Sequence, residues 1–247
     1  MGLRVKARVE ALEWMCSQES GLKKILLVAW MVLAIPGAGL AQQRHMVTEK
    51  IEWTYSDRPE KPEAALQNVL LVGDSITRAY YKATAETLAG KANVYYFATS
   101  TSVGDERLAP QLVESFRMIG VRFDVVHFNN GMHGWGYTEE EYRKYFPELI
   151  TAVRLGAPAG RLVWASTTPV RKDKQGGATN ARIDARNAIA AEQVAKQGIA
   201  VDDQHALMER HQDLHSDDVH FTAEGAAIQG AQVAASVLRA MPAKSAP

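Results

Sequence analysis

Five short apolar segments, at residues 68–72, 93–97, 124–129, 161–166 and 199–202, alternate with helix-like stretches near 76–88, 106–119, 139–155 and 181–196, and a last stretch covers about 223–240. Each apolar segment is rich in Val, Ile or aromatic residues and is bounded by polar residues or glycine, the pattern of a short buried strand. Alternation of this kind constrains the fold strongly. It builds a parallel sheet with helices on both faces. Right-handed crossovers then make the predicted architecture an α/β fold, a three-layer α/β/α sandwich around a five-stranded parallel sheet. In such sheets functional residues gather at the carboxyl ends of the strands. That rim holds Ser75, Gly104, the run from Asn129 to His133, and Thr167 with Thr168.

The first 41 residues obey a different rule. Lys23 and Lys24 precede an apolar run over 25–35, and small residues follow up to Ala41. A basic region, a short hydrophobic run and a small-residue cleavage site read as a secretory signal. The run is shorter than the ~20 residues a membrane-spanning helix needs, so no stable span is expected after cleavage. The expected mature chain starts near Gln42 and is secreted or periplasmic. Residues 42–67 contain Pro59 and Pro62 and are predicted to be an extended lead-in, which leaves 68–247 as the folded domain.

With 47% apolar residues and a formal net charge of +0, the chain can bury a sizeable core and carries no field suited to a nucleic-acid partner. Its one cysteine, Cys16, falls inside the leader. The rest of the chain therefore has no disulfide, no cysteine nucleophile and no thiolate metal site.

The first predicted strand runs straight into a helix in "LLVGDSITRAYY", residues 70–81. A serine at such a junction has two readings. It is a favoured N-cap, and it is equally a placement for a nucleophile, because N–H groups at a helix start stabilise negative charge. A nucleophilic serine needs a base, and the base needs orienting. The stretch "HSDDVHFTAEG", residues 215–225, offers Asp217 and His220 with two residues between them. In a turn, the Asp217 carboxylate can reach Nδ1–H of His220 and leave Nε2 to take a proton from Ser75. Thr222 is a candidate cap for the helix that follows. The same region also gathers His211, Asp213, His215, Asp217, Asp218 and His220, residue types that bind zinc. No fixed-spacing signature such as HExxH accompanies them, so no metal is expected.

Gly73-Asp74-Ser75-Ile76 near the start and Asp217-x-x-His220 near the end resemble, in this order, the first and last blocks of the SGNH or GDSL hydrolases. The resemblance spans about residues 68–240. It is distinct from the G-x-S-x-G elbow, since Thr77 stands at the second glycine position. It implies a flavodoxin-like SGNH hydrolase fold and a serine esterase that needs no cofactor. Ser75 would attack, His220 would act as base and acid, and Asp217 would orient the imidazole. An oxyanion hole would come from the backbone N–H groups of Ser75 and Gly104, plus a side chain after the third predicted strand. The middle blocks depart from the family pattern. Gly104 lacks the usual Asn-x-Gly lead. The third block, commonly G-x-N-D, falls on Gly131-Met132-His133-Gly134. His133 then replaces the asparagine donor, a role open to a neutral imidazole with its one N–H. Asn130 is the alternative donor, although Asn130-Gly131 also reads as a turn.

The implied substrate is an ester, as a small molecule or on a polysaccharide. For an exported enzyme an O-acetylated carbohydrate is the first expectation. A lipase, a general carboxylesterase or an acyltransferase would use the same triad. A non-catalytic carbohydrate-binding module would have been favoured by loss of Ser75, Asp217 or His220. Trp135 and Tyr137 in "HGWGY" are candidate sugar-stacking residues, against ordinary aromatic packing. Arg171 is a candidate for the pocket border.

Overall fold

A computed structural model describes residues 45–243, so the predicted leader over 1–41 lies outside the described residues. The chain forms β1 (Thr54–Asp57), β2 (Gln67–Gly73), α1 (Ser75–Thr87), β3 (Ala92–Thr99), α2 (Leu108–Ile119), β4 (Val125–Phe128) and α3 (Glu139–Gly156). It continues with β5 (Arg161–Ala165), α4 (Asn180–Ala195), β6 (Ala200–Asp202), α5 (Gln204–Glu209), a 3-10 turn (Gln212–Leu214) and α6 (Ala223–Ala240). The described strands make one six-stranded sheet in the order β1-β3-β2-β4-β5-β6.

β2 to β6 are the predicted five parallel strands. The sixth, β1, lies within the stretch 42–67 predicted as extended lead-in. It pairs antiparallel with the outer edge of β3, Thr54 opposite Thr99 and Asp57 opposite Tyr96. All four of its residues are exposed, so no inward-facing apolar pattern marks it. Its role is to cover an edge that would otherwise offer unpaired N–H and C=O groups.

The period of two in the strands sends alternate residues to two cores. Leu70 and Val72 of β2 face a layer with Phe97, Leu112, Phe116, Phe128, Phe146 and Trp164. Val69 and Leu71 face the other, with Ile76, Tyr80, Val163, Val233 and Val237. Helices α2, α3 and α4 thus cover one face, and α1 with α6 cover the other. Where α1 and α6 cross, Gly230 lets the backbones touch: a Cβ there would lie 2.8 Å from Ala83 Cβ and 2.9 Å from Thr84 N. This close crossing fixes the helix that starts at Ser75 against the helix that follows His220.

Candidate active site

β2 ends at Gly73 and α1 begins at Ser75. Asp74 makes the turn. Its backbone is extended, and its Oδ1 accepts the N–H of Ile76 at 2.9 Å. Asp74 is therefore the N-cap, and the capping explanation for Ser75 falls away. The hydroxyl of Ser75 is left for another partner. That partner is His220, whose Nε2 lies 2.8 Å from Ser75 Oγ across 145 positions of sequence.

His220 sits on an excursion of the chain before α6. The rings of His215 and Phe221 stack at 4.1 Å and close its base, while Ser216 N–H donates to His220 O at 2.8 Å. Asp217 shapes the tip. Its Oδ1 accepts the N–H groups of Val219 at 2.7 Å and His220 at 2.6 Å, and its Oδ2 faces His220 Nδ1 at 2.8 Å. A carboxylate only accepts, so the ring hydrogen sits on Nδ1. Nε2 then carries the lone pair and accepts from the Ser75 O–H. Burial pushes the Asp217 carboxyl up, but the bonds from the His220 and Val219 backbone and from the imidazole outweigh it and hold the group at about 2. Thr222 caps α6 as expected, its Oγ1 accepting from Gly225 N at 3.3 Å.

Arg171 braces this loop from the β5–α4 connection. Its N–H donates to Asp218 O at 2.9 Å, and its guanidinium reaches Asp218 Oδ1 at 3.1 Å. Three members of the His/Asp group go to separate partners. His215 stacks on Phe221, Asp217 holds His220, and Asp218 holds Arg171. Among the described residues no three of these side chains are grouped to hold a metal ion.

Gly104 lies in the β3–α2 loop at φ 106°, and a Cβ there would meet the Tyr137 ring at 2.8 Å. Only glycine suits both the dihedral and the close approach. Tyr137 is consequently a core residue and no stacking platform. It is 1% exposed, and its hydroxyl accepts Val47 N–H at 2.8 Å. Trp135 has its face occupied as well: the Arg186 guanidinium lies 4.2 Å from the ring centroid and that of Arg182 5.2 Å.

Asn130 ties the Gly104 loop to the end of β4. Its Oδ1 accepts Val103 N–H, and its Nδ2 donates to Thr101 O, both at 2.9 Å. His133 Nδ1 lies 3.2 Å from Glu49 Oε1, which also accepts Gly134 N–H at 3.4 Å. The one hydrogen of a neutral His133 ring is thereby committed to Glu49.

Two contributors, Glu49 and Arg186, escaped the sequence reading, and Asn129 was placed on the rim without a partner. Glu49 belongs to the proline-bearing lead-in and gives no local signal. Asn129 spans to the next strand, donating to Ala165 O at 2.6 Å and Thr167 Oγ1 at 3.1 Å. Arg186, 1% exposed, gathers the carbonyls of His133 and Gly134 at 2.9 Å each and so folds the loop after β4. Its only sequence signal is a cation on the apolar face of a predicted helix.

No protein-family model matches the sequence, and no curated protein matches it. Solved structures do match. A GDSL-like lipase from Bacteroides thetaiotaomicron superposes with a TM-score of 0.56 at 18% identity, over 71% of this chain and 89% of that one. The fold is that of the SGNH hydrolases. A carbohydrate esterase family 3 protein from Talaromyces cellulolyticus superposes with a TM-score of 0.53 at 14% identity, over 70% of this chain and 97% of that one. The acetyl xylan esterase AlAXEase gives 0.54 at 16% identity, over 69% and 99%.

Proposed function

We propose that this protein is a serine esterase that removes a small O-acyl group, most simply acetyl, from a carbohydrate. The observation that carries the reading is the unbroken chain Ser75 Oγ to His220 Nε2 and His220 Nδ1 to Asp217 Oδ2, each link 2.8 Å. In this reading Ser75 attacks the ester carbonyl while His220 takes its proton. Asp217 keeps the ring in the required tautomer and offsets its positive charge. The backbone N–H groups of Ser75 and Gly104 hold the oxyanion. His220 then hands its proton to the leaving alcohol, and a water repeats the sequence to free the acid. The carbohydrate preference is supported by the acetyl xylan esterase and carbohydrate esterase among the similar structures. Export is supported by the composition of residues 1–41.

A fluorophosphonate probe followed by peptide mapping tests the class. Label on Ser75 is expected, with none on Ser75→Ala. Label that persists on Ser75→Ala overturns the reading. Comparing acetyl and longer acyl esters on a xylan-derived and a simple alcohol then separates a carbohydrate deacetylase from a lipase. N-terminal sequencing of protein from the native host tests the expected start near Gln42.

A further inference from the structure

Directly behind the Ser75 turn lies a small cavity of about 10 Å³, lined among others by Asp74, Thr168, Gln204 and Gln229. These four residues are at most 3% exposed. Each sends a buried polar atom that has no hydrogen-bond partner among the described residues: Asp74 Oδ2, Thr168 Oγ1, Gln204 Oε1 and Gln229 Nε2. Leaving one such atom unpaired costs roughly 1–3 kcal/mol, so four around one space call for a shared partner.

The chemistry of the four atoms selects that partner. Asp74 Oδ2 can only accept when ionised. Gln204 Oε1 can only accept too, because the other end of that amide, Nε2, donates to Asp202 Oδ2 at 3.0 Å and fixes its orientation. Gln229 Nε2 can only donate. Thr168 Oγ1 can donate or accept. Two acceptors, one donor and one hydroxyl match the two hydrogens and two lone pairs of a water molecule. The volume is that of about one water. A metal or ammonium cation suits the carboxylate and the amide oxygen but is opposed by the N–H of Gln229.

We infer that this cavity binds a single structural water that acts through Asp74 to position Ser75, with Thr168, Gln204 and Gln229 as positioning residues. The water joins the N-cap of α1, the loop after β5, the start of α5 and the middle of α6. These are the elements that carry Ser75 and flank the Asp217–His220 loop. Asp74 then has both oxygens engaged, Oδ1 by Ile76 N–H and Oδ2 by the water, and cannot swing its turn. The catalytic consequence rests on the esterase reading given above; the water site itself does not.

The test pairs a count of bound water with kinetics on p-nitrophenyl acetate. Magnetic relaxation dispersion of water oxygen, supported by a high-resolution crystal structure, should find one long-lived water at the centre of the four atoms in the wild-type protein. Thr168→Val and Gln229→Leu should each lose it and lower kcat about tenfold with KM nearly unchanged. The double variant should cost little more than the worse single one, because one water serves both residues. No water at the site, a cation in it, or additive losses that fall on KM would overturn the inference. If the variants do not fold, the wild-type water measurement alone decides it. If Ser75 of the wild-type protein takes no fluorophosphonate label, the esterase reading fails while the water count still stands or falls separately.

Discussion

His127 Nε2 and Asp202 Oδ2 lie 2.8 Å apart in the middle of the molecule, where neither side chain is more than 1% exposed. The pair links β4 to β6 across the intervening β5. Gln204 donates to the same Asp202 oxygen at 3.0 Å, and Gln232 to the other at 2.8 Å. Removing one partner leaves the other buried and unpaired. Asp202→Ala should therefore lower stability by about 3–5 kcal/mol. Denaturant unfolding measures it, and a loss below about 1 kcal/mol would mean that the network contributes little.

The same pair sets a sign for acid unfolding. Burial pushes the Asp202 carboxyl up, but the bonds from His127, Gln204 and Gln232 outweigh it and leave the group below its ordinary value of 3.8. A carboxyl held lower in the folded than in the unfolded chain stabilises fully above 3.8 and loses that contribution as pH falls through the folded value. Unfolding free energy should then fall with acidification below about pH 4 and do so less steeply in Asp202→Asn. Equal slopes would assign the acid sensitivity to other groups.

Gly104 offers a test at the rim that carries Ser75. Gly104→Ala adds a methyl 2.8 Å from the Tyr137 ring, at a dihedral of 106° that L residues rarely adopt. Thermal unfolding should show a loss of roughly 1–3 kcal/mol. Fluorophosphonate labelling of Ser75 should slow as the loop N–H moves. Unchanged stability together with unchanged labelling would remove Gly104 from both roles.

Legibility of the sequence followed the range of the interactions. The parallel sheet was readable because Val, Leu and Phe alternate in short buried runs, and the junction at Ser75 because a strand and a helix meet within two residues. Asp217 and His220 were readable because their bond spans three positions. β1 was not, because an exposed edge strand has no inward face to pattern. Glu49 and His133 are 84 positions apart, and His127 and Asp202 are 75. Nothing local in either sequence stretch names its partner. Tyr137 looked like a rim residue from its place after β4, yet the positive φ of Gly104 opens a slot that buries its ring.

The last prediction concerns the tautomer of His220. Asp217 Oδ1 already accepts two backbone N–H groups, from Val219 at 2.7 Å and His220 at 2.6 Å, and Oδ2 takes the Nδ1 hydrogen. In Asp217→Asn only the amide oxygen can continue to accept the two backbone bonds. The NH₂ is then forced toward His220 Nδ1, and because it donates, it selects the ring form with the hydrogen on Nε2. That hydrogen points at Ser75 Oγ, where a lone pair is needed. The backbone of the loop keeps its bonds, so the variant should fold with nearly wild-type stability. Its kcat should fall by about 10⁴, as expected when an intact triad is locked in the wrong tautomer. Asp217→Ala releases the ring without imposing a tautomer, so Asp217→Asn should be no more active than Asp217→Ala. Nitrogen chemical shifts of His220 would report the proton on Nε2 directly. An Asp217→Asn protein that keeps more than about a tenth of wild-type kcat, with the Nδ1–H tautomer still dominant, would show that Asp217 neither orients nor charges the base.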